Sequence, residues 1–235
     1  MQFPNRKLVI LLGLMGMSFG AIAACTPNSN NASSTQSNQI VSSSPDTPTG
    51  KQDQGQNQDH MGMDHSMAMD LGPADADYDL RFIDGMILHH QGAVVMAEAA
   101  LEKSTRPELK KLATEIIAAQ KQEIAQMQAW RTSWYANAPS TPMGYSASMG
   151  HMMAMSQEQM NSMMMSGDLG AADAQFDLRF IKAMIPHHEG ALVMAKDALE
   201  KSARPEIKQL AQAILSSQAG EISQMQQWRK DWYNQ

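Results

Sequence analysis

Two adjacent histidines occur twice in this chain, each time inside the same apolar pattern. Residues 86–97 read Met-Ile-Leu-His-His-Gln-Gly-Ala-Val-Val-Met-Ala, and residues 184–195 read Met-Ile-Pro-His-His-Glu-Gly-Ala-Leu-Val-Met-Ala. With about 100° of rotation per residue, the methionines, the histidines and the first alanine of each stretch fall on one face of a helix. We expect that face to be buried. Two imidazoles and two thioethers directed at a core indicate a soft-metal site.

The histidine pairs belong to a longer internal repeat. Residues 75–135 align without a gap on residues 173–233, and about three-fifths of the positions are identical. Each copy contains an Arg-Pro-Glu sequence, beginning at Arg106 and at Arg204. Because proline favours the first turn of a helix and disfavours helical geometry in the preceding residue, each copy is predicted to be a helical hairpin. Two hairpins predict an all-α four-helix bundle, and no alternating strand pattern is visible. The first hairpin is predicted to have helices at about 75–104 and 107–135.

The second helix of each hairpin places polar residues level with the histidines. Its inward stripe is apolar except for Gln120 and Glu123, and the second copy repeats this with Gln218 and Glu221. Polar groups on a core face need partners, and a carboxylate beside an imidazole N–H orients a metal-binding histidine. The sequence therefore predicts a layer of His, Gln, Glu and Met inside the bundle. Met127 and Met225 lie near this layer, where packing alone explains them.

The N-terminal residues predict export. Arg6 and Lys7 precede an apolar run, so residues 1–24 are predicted to be a secretory signal peptide. The sequence Ile-Ala-Ala-Cys ending at Cys25 resembles a lipobox, which predicts a lipid-modified N-terminus; the alternative is ordinary cleavage with Cys25 as an incidental thiol. Residues 25–59 are polar and are predicted to be a disordered linker. The expected location is the periplasm or cell envelope.

Methionine-rich segments flank the hairpins. The predicted divisions are a Met/His segment with the first hairpin at 60–135, a Met-rich connector at 136–172 and the second hairpin at 173–235. Within the connector, Ser156–Gln159 is a capping box that opens a short helix, which Gly167 would end. The chain has 22 methionines, and those at 60–69 and 152–165 exceed what packing needs. These segments are candidates for metal or partner binding.

Several classes of function are disfavoured. The formal charge of −6 does not suit nucleic acid or anionic lipid, and the single cysteine excludes an intramolecular disulfide and a cysteine cage for zinc or iron–sulfur. A di-iron bundle needs Glu-x-x-His pairs, but Met86 and Met184 stand three residues before the first histidines. No catalytic constellation is found, so the protein is predicted not to be an enzyme.

Thioethers and imidazoles together favour Cu(I), and also Ag(I), over Zn(II), Mg(II) or Mn(II). For each feature the alternative is structural: a core histidine bonded to glutamate, or methionine as core filler. Duplication of adjacent histidines beside Met and Glu favours metal binding. The predicted ligands are His89, His90, His187, His188, Met86, Met96, Met184 and Met194.

The motif Phe-Ile-x-x-Met-Ile-x-His-His-x-Gly-Ala-x-x-Met-Ala, which begins at Phe82, resembles that of a secreted bacterial family whose domain is catalogued as of unknown function. Its best-understood members are CopM-type periplasmic copper-binding proteins. The resemblance implies a ferritin-like four-helix bundle that holds monovalent copper or silver through His89, His90, His187 and His188. It also implies a role in copper tolerance or delivery. Leu88 stands where the family, like the second copy, has proline, so the first motif is expected to be slightly reshaped.

The resulting hypothesis is an envelope protein that binds Cu(I) and sequesters it or passes it on. Its expected partners are copper ions and a copper efflux or sensor protein of the envelope, with membrane contact only through a lipid at Cys25. One alternative is a non-enzymatic adaptor that docks a partner protein through its Met-rich surface. Another is a metal-dependent oxidase.

Overall fold

Each copy of the repeat folds into the helical hairpin that its proline predicts. Pro107 and Pro205 lie in the first turn of the second helix of each hairpin, and the preceding Arg106 and Arg204 have extended backbones. The computed structural model describes residues 70–235, so the predicted signal peptide, linker and Met/His segment lie outside the described residues. The helices are α1 (Tyr78–Lys103), α2 (Pro107–Trp134), α3 (Gln157–Met164), α4 (Phe176–Lys201) and α5 (Pro205–Tyr233). The predicted all-α, ferritin-like bundle of two repeated hairpins is confirmed.

The repeat begins earlier than the sequence pattern indicated, at Asp70 and Asp168. We call the stretches that precede the hairpins, residues 70–77 and 168–175, the leading turns. Both start with Asp-Leu-Gly, and the glycine has φ +77° in each, in the left-handed region that favours glycine. Arg81 donates to two backbone carbonyls of the first leading turn at 2.6 and 2.8 Å, and Arg179 makes the same two bonds at the same distances in the second. The leading turn is therefore repeated along with the helices.

Two apolar clusters fill the bundle, one on each side of the histidines, and each takes residues from both hairpins. The first joins the beginning of α1 to the end of α4 and the beginning of α5. The second joins the end of α1 and the beginning of α2 to the beginning of α4. Each cluster therefore ties the hairpins together rather than filling one of them. The methionines of the first are Met86, Met127, Met155, Met163 and Met194, and those of the second are Met96, Met184 and Met225.

The connector contains a short β-hairpin, although no alternating strand pattern is visible in the sequence. Strand β1 (Met143–Ser146) pairs antiparallel with β2 (His151–Ala154). Four-residue strands are too short to show a clear alternation in the sequence. The capping box at Ser156 opens α3 as predicted. The helix ends at Met164, before Gly167, and its C-cap residue Met165 adopts a left-handed conformation with φ +48°.

The four tryptophans lie near the ends of the bundle and are half-buried. The guanidinium of Arg204 lies 4.0 Å from the ring of Trp134, and that of Arg106 lies 4.2 Å from the ring of Trp232. Each arginine, from the turn of one hairpin, thus covers a tryptophan of the other hairpin. The stacked ring pairs are Trp130–Trp134 at 5.0 Å and Trp228–Trp232 at 4.8 Å. Within residues 70–235, none of the helices combines the length and apolar character needed to span a bilayer.

Candidate metal centre

The four motif histidines form a buried layer between the two apolar clusters. Their exposed fractions are 0% for His89, His90 and His188 and 1% for His187. His89 on α1 and His187 on α4 meet across the interface of the hairpins, with ring centroids 3.9 Å apart. Within each pair the neighbouring rings are farther apart, at 6.5 and 6.1 Å. Thus the first histidine of each pair meets its counterpart from the other hairpin.

The second histidine of each pair turns toward its own hairpin. The Nε2 atom of His90 lies 2.7 Å from a carboxylate oxygen of Glu123, and that of His188 lies 2.6 Å from one of Glu221. An ionised carboxylate only accepts, so each of these Nε2 atoms donates a proton and the neutral ring carries its lone pair on Nδ1. The predicted glutamates do lie at the level of the histidines.

His187 has a different partner, the backbone of α3. Its Nε2 lies 3.1 Å from the carbonyl oxygen of Met164, which can only accept, so Nε2 carries the proton. Gly92 permits this approach, because a Cβ atom at that position would clash with the same oxygen. Neither residue was predicted to belong to the site. The glycine of each His-His-x-Gly motif was the available signal, since a helical glycine often marks a close backbone approach.

The Nδ1 atoms of all four histidines are buried without a hydrogen-bond partner in the described part of the chain. His89 is unpartnered at Nε2 as well. A buried polar atom without a partner costs about 1–3 kcal/mol, so four together require an explanation. A bound metal ion that accepts the nitrogen lone pairs would explain why these atoms have no hydrogen-bond partner. The side-chain oxygens of Gln120 and Gln218, predicted for the same layer, are also buried and unpartnered.

Burial keeps the central pair neutral. Loss of solvation lowers the pKa of His89 well below its ordinary value, and the proximity of His187 lowers it further. Loss of solvation and the proximity of His188 lower the pKa of His187 to about 3. Both imidazoles are therefore neutral, and able to bind a metal, far below the ordinary histidine pKa of about 6.5.

The predicted methionines lie on both sides of the histidine layer. Met86 and Met194 are in one cluster and Met96 and Met184 in the other, and none is more than 1% exposed. Within residues 70–235, no group of three or more His, Cys, Asp or Glu side chains is placed to hold a metal ion. The geometry thus offers paired imidazoles beside thioethers. Whether the eight predicted residues coordinate metal stays a prediction.

Residues 79–229 match the family described as "Domain of unknown function (DUF305)". The chain belongs to this family. It is 39% identical to the structure of CopM in the Cu(I)-bound form, with a TM-score of 0.52, covering 66% of this chain and 97% of CopM. It is 43% identical to CopM in the Cu(II)-bound form, with a TM-score of 0.53 and the same coverage.

CopM in the silver-bound form obtained by soaking is 38% identical, with a TM-score of 0.52, and covers 66% of this chain and 97% of CopM. An uncharacterised protein of Acanthamoeba polyphaga mimivirus is 43% identical over 49 residues, which are 21% of this chain. The chain spans 32% of that protein's length. The DUF305 membership and the similarity to CopM confirm the resemblance that the His-His motif indicated.

Proposed function

We propose that this protein binds monovalent copper, and also silver, in the core of its bundle. The observation that carries the proposal is the set of four buried imidazoles whose Nδ1 atoms have no hydrogen-bond partner within residues 70–235. Three of the rings have Nε2 held by an acceptor, from Glu123, Glu221 or the carbonyl of Met164. Acceptors at Nε2 orient the rings and leave Nδ1 lone pairs for an ion, as partners of metal-binding histidines do.

The chemistry of the surroundings favours a soft monovalent ion. Zinc sites use three or four nitrogen, sulfur or oxygen ligands, but no such histidine, cysteine or carboxylate group is assembled within residues 70–235. Thioethers lie on both sides of the histidine layer, in Met86 and Met194 and in Met96 and Met184. Thioether sulfur selects Cu(I). The similar CopM structures hold Cu(I), Cu(II) and silver, which supports copper and silver as the ions of this protein.

We further propose that the protein acts in copper tolerance in the periplasm or cell envelope, by sequestering the ion or as a metallochaperone. The signal peptide and the lipobox at Cys25 that the sequence predicts support this location. A copper efflux or sensor protein of the envelope would be the partner that receives the ion. The role is one of binding and transfer rather than catalysis.

The direct test locates the ion. Crystals of the mature protein soaked in Ag(I) should show anomalous density between the rings of His89 and His187 or at the Nδ1 atoms of His90 and His188. Density confined to methionines remote from the layer would overturn the proposal. If neither Ag(I) nor Cu(I) binds, the adaptor hypothesis remains.

A second experiment measures Cu(I) affinity by competition with a chromophoric chelator. Replacing both central histidines, His89→Ala with His187→Ala, should weaken binding by at least about tenfold, because two nitrogen ligands are lost. His151→Ala, which changes an exposed histidine of β2, is the matched control and should leave the affinity unchanged. Glu123→Gln with Glu221→Gln should weaken binding by about ten- to a hundredfold through ring orientation.

A further inference from the structure

A glutamate lies between solvent and the second histidine of each pair. The side chains of Glu123 and Glu221 are each 18% exposed, whereas the rings of His90 and His188 that they contact are fully buried. On two other sides the histidine layer is covered by the apolar clusters. An ion that crossed an apolar cluster would lose its hydration without a replacement, which is costly. The two glutamates therefore lie on the polar routes between solvent and the histidine layer.

Glu123 also lines a groove of about 390 Å³ between α2 and α5, which we call the Glu123 groove. Its lining includes a second carboxylate, that of Glu206, and the side-chain amides of Gln122, Gln126 and Gln209. Among the described residues that line it, two are glutamates and none is basic. A cleft lined by charges of one sign raises the local concentration of ions of the other sign. The groove therefore attracts cations to the solvent side of Glu123.

The groove that the repeat relates to it is smaller, with a volume of about 170 Å³. It lies between the beginning of α2 and the end of α5, and we call it the Lys111 groove. Lys111 and Glu115 line it at the positions that Gln209 and Ala213 have in the Glu123 groove, and they form an ion pair at 2.6 Å. Glu221 is not among the described residues that line the Lys111 groove. Thus the larger groove reaches its glutamate and the smaller one does not.

We infer that Cu(I) enters and leaves the histidine layer through the Glu123 groove, an inference that rests on the proposed function. Glu206 and Glu123 attract the hydrated ion. The Glu123 carboxylate then replaces part of the hydration shell before the ion meets the imidazoles, so the ion is not stripped of ligands on the way. Glu206, Gln209 and Ala213 are exposed residues of the groove, so they control the rate of loading rather than the affinity of the layer.

An exchange of residues between the two grooves tests the route. Gln209→Lys with Ala213→Glu gives the Glu123 groove the ion pair of the Lys111 groove without a change in net charge. Release of Cu(I) into an excess of a chromophoric chelator is followed by stopped-flow absorbance, and the phase that His89→Ala with His187→Ala lacks belongs to the layer. This phase should slow by about tenfold, whereas the dissociation constant should change by less than about twofold. An unchanged rate would overturn the inference.

The matched control is the reverse exchange, Lys111→Gln with Glu115→Ala, which should not slow release. Equal slowing in both double variants would overturn the inference, because the effect would not depend on the Glu123 groove. The proposed function fails separately: a protein whose Cu(I) release has no histidine-dependent phase would overturn it, and the entry route with it. A histidine-dependent phase that is insensitive to the exchange would overturn the route alone.

The charge of the groove is tested by Glu206→Gln, with Glu108→Gln at the equivalent position of the Lys111 groove as the control. The loading rate constant is the release rate constant divided by the dissociation constant. At low ionic strength Glu206→Gln should lower it by about two- to threefold, and high salt should remove the difference, because salt screens exposed charges. Glu108→Gln should leave it unchanged. Equal effects of the two changes would contradict entry through the Glu123 groove.

Discussion

The first and second hairpins share about three-fifths of their sequence, yet within residues 70–235 the connector packs on the first. In that hairpin, buried Asp84 accepts from the guanidinium of Arg131 at 2.5 Å and from the backbone N–H of Met143 at 2.8 Å. The second hairpin keeps the arginine as Arg229 but has Lys182 in place of the aspartate. A positive side chain there can accept neither bond. A few positions therefore decide which copy holds the connector.

Other contacts are the same in both hairpins because they maintain the bundle rather than the connector. The arginines that bind the leading turns, the lysines that reach across to them and the histidine–glutamate pairs all recur with nearly equal distances. The shared sequence thus encodes the hairpin and the histidine layer. The differences encode what packs on the outside.

The largest effect is expected from the two central histidines, one from each hairpin. Their pKa values are lowered in the folded protein, so the unfolded chain binds more protons below pH 6.5 and stability falls as the pH falls toward 3. Each histidine contributes about 1.4 kcal/mol per pH unit in that range. Between pH 6.5 and 4.5, urea unfolding should show a larger loss for the wild type than for His89→Phe with His187→Phe, with about 2 kcal/mol of the difference from His187 and a further loss from His89. His151→Phe is the control and should lose as much as the wild type, whereas equal losses in all three proteins would contradict the pKa shifts.

The next largest effect on the free energy of unfolding should differ most between the two hairpins. Asp84→Ala removes the acceptor for Arg131 and for the Met143 N–H, and should lower the free energy of unfolding by about 3 kcal/mol. Lys182→Ala, at the equivalent exposed position, should change it by less than about 0.5 kcal/mol. Urea titrations of both variants check the difference. Similar values for the two would show that the aspartate does not hold the connector.

Glycine-to-alanine changes should have opposite signs in the two hairpins. Gly92→Ala places a Cβ against the Met164 carbonyl and should destabilise the protein by about 2 kcal/mol through displacement of α3. Gly220→Ala in α5 meets no atom within 4 Å and should stabilise it by about 0.5–1 kcal/mol through helix propensity. Thermal unfolding distinguishes them. If Gly92→Ala stabilised the protein, α3 would be able to move away from α1 without lowering the free energy of unfolding.

The smallest effect should be equal in the two hairpins. Arg106→Ala and Arg204→Ala each remove a guanidinium stacked on a tryptophan of the other hairpin, at 4.2 and 4.0 Å. Each should lower the free energy of unfolding by about 0.5–1 kcal/mol, because both arginines are partly exposed. Chemical denaturation of the two variants tests the equality. A clear difference between them would show that the ends of the bundle are not equivalent.

The sequence by itself determined the hairpins and the histidine layer, because both depend on local patterns. Proline after an arginine fixes where each second helix begins, and helical periodicity places Glu123 and Glu221 level with the histidines. The capping box at Ser156 is equally local. Each of these features can be predicted from residues that lie within one or a few helical turns of each other.

Only the tertiary structure decided which histidines meet, because adjacent residues on a helix point about 100° apart. Packing of α1 on α4 turns His89 toward His187 and leaves His90 and His188 to the glutamates of their own hairpins. The Met164 carbonyl on His187 and the short strands of the connector also arise from contacts between segments distant in the chain. The lowered pKa values follow from burial, which no residue sets alone.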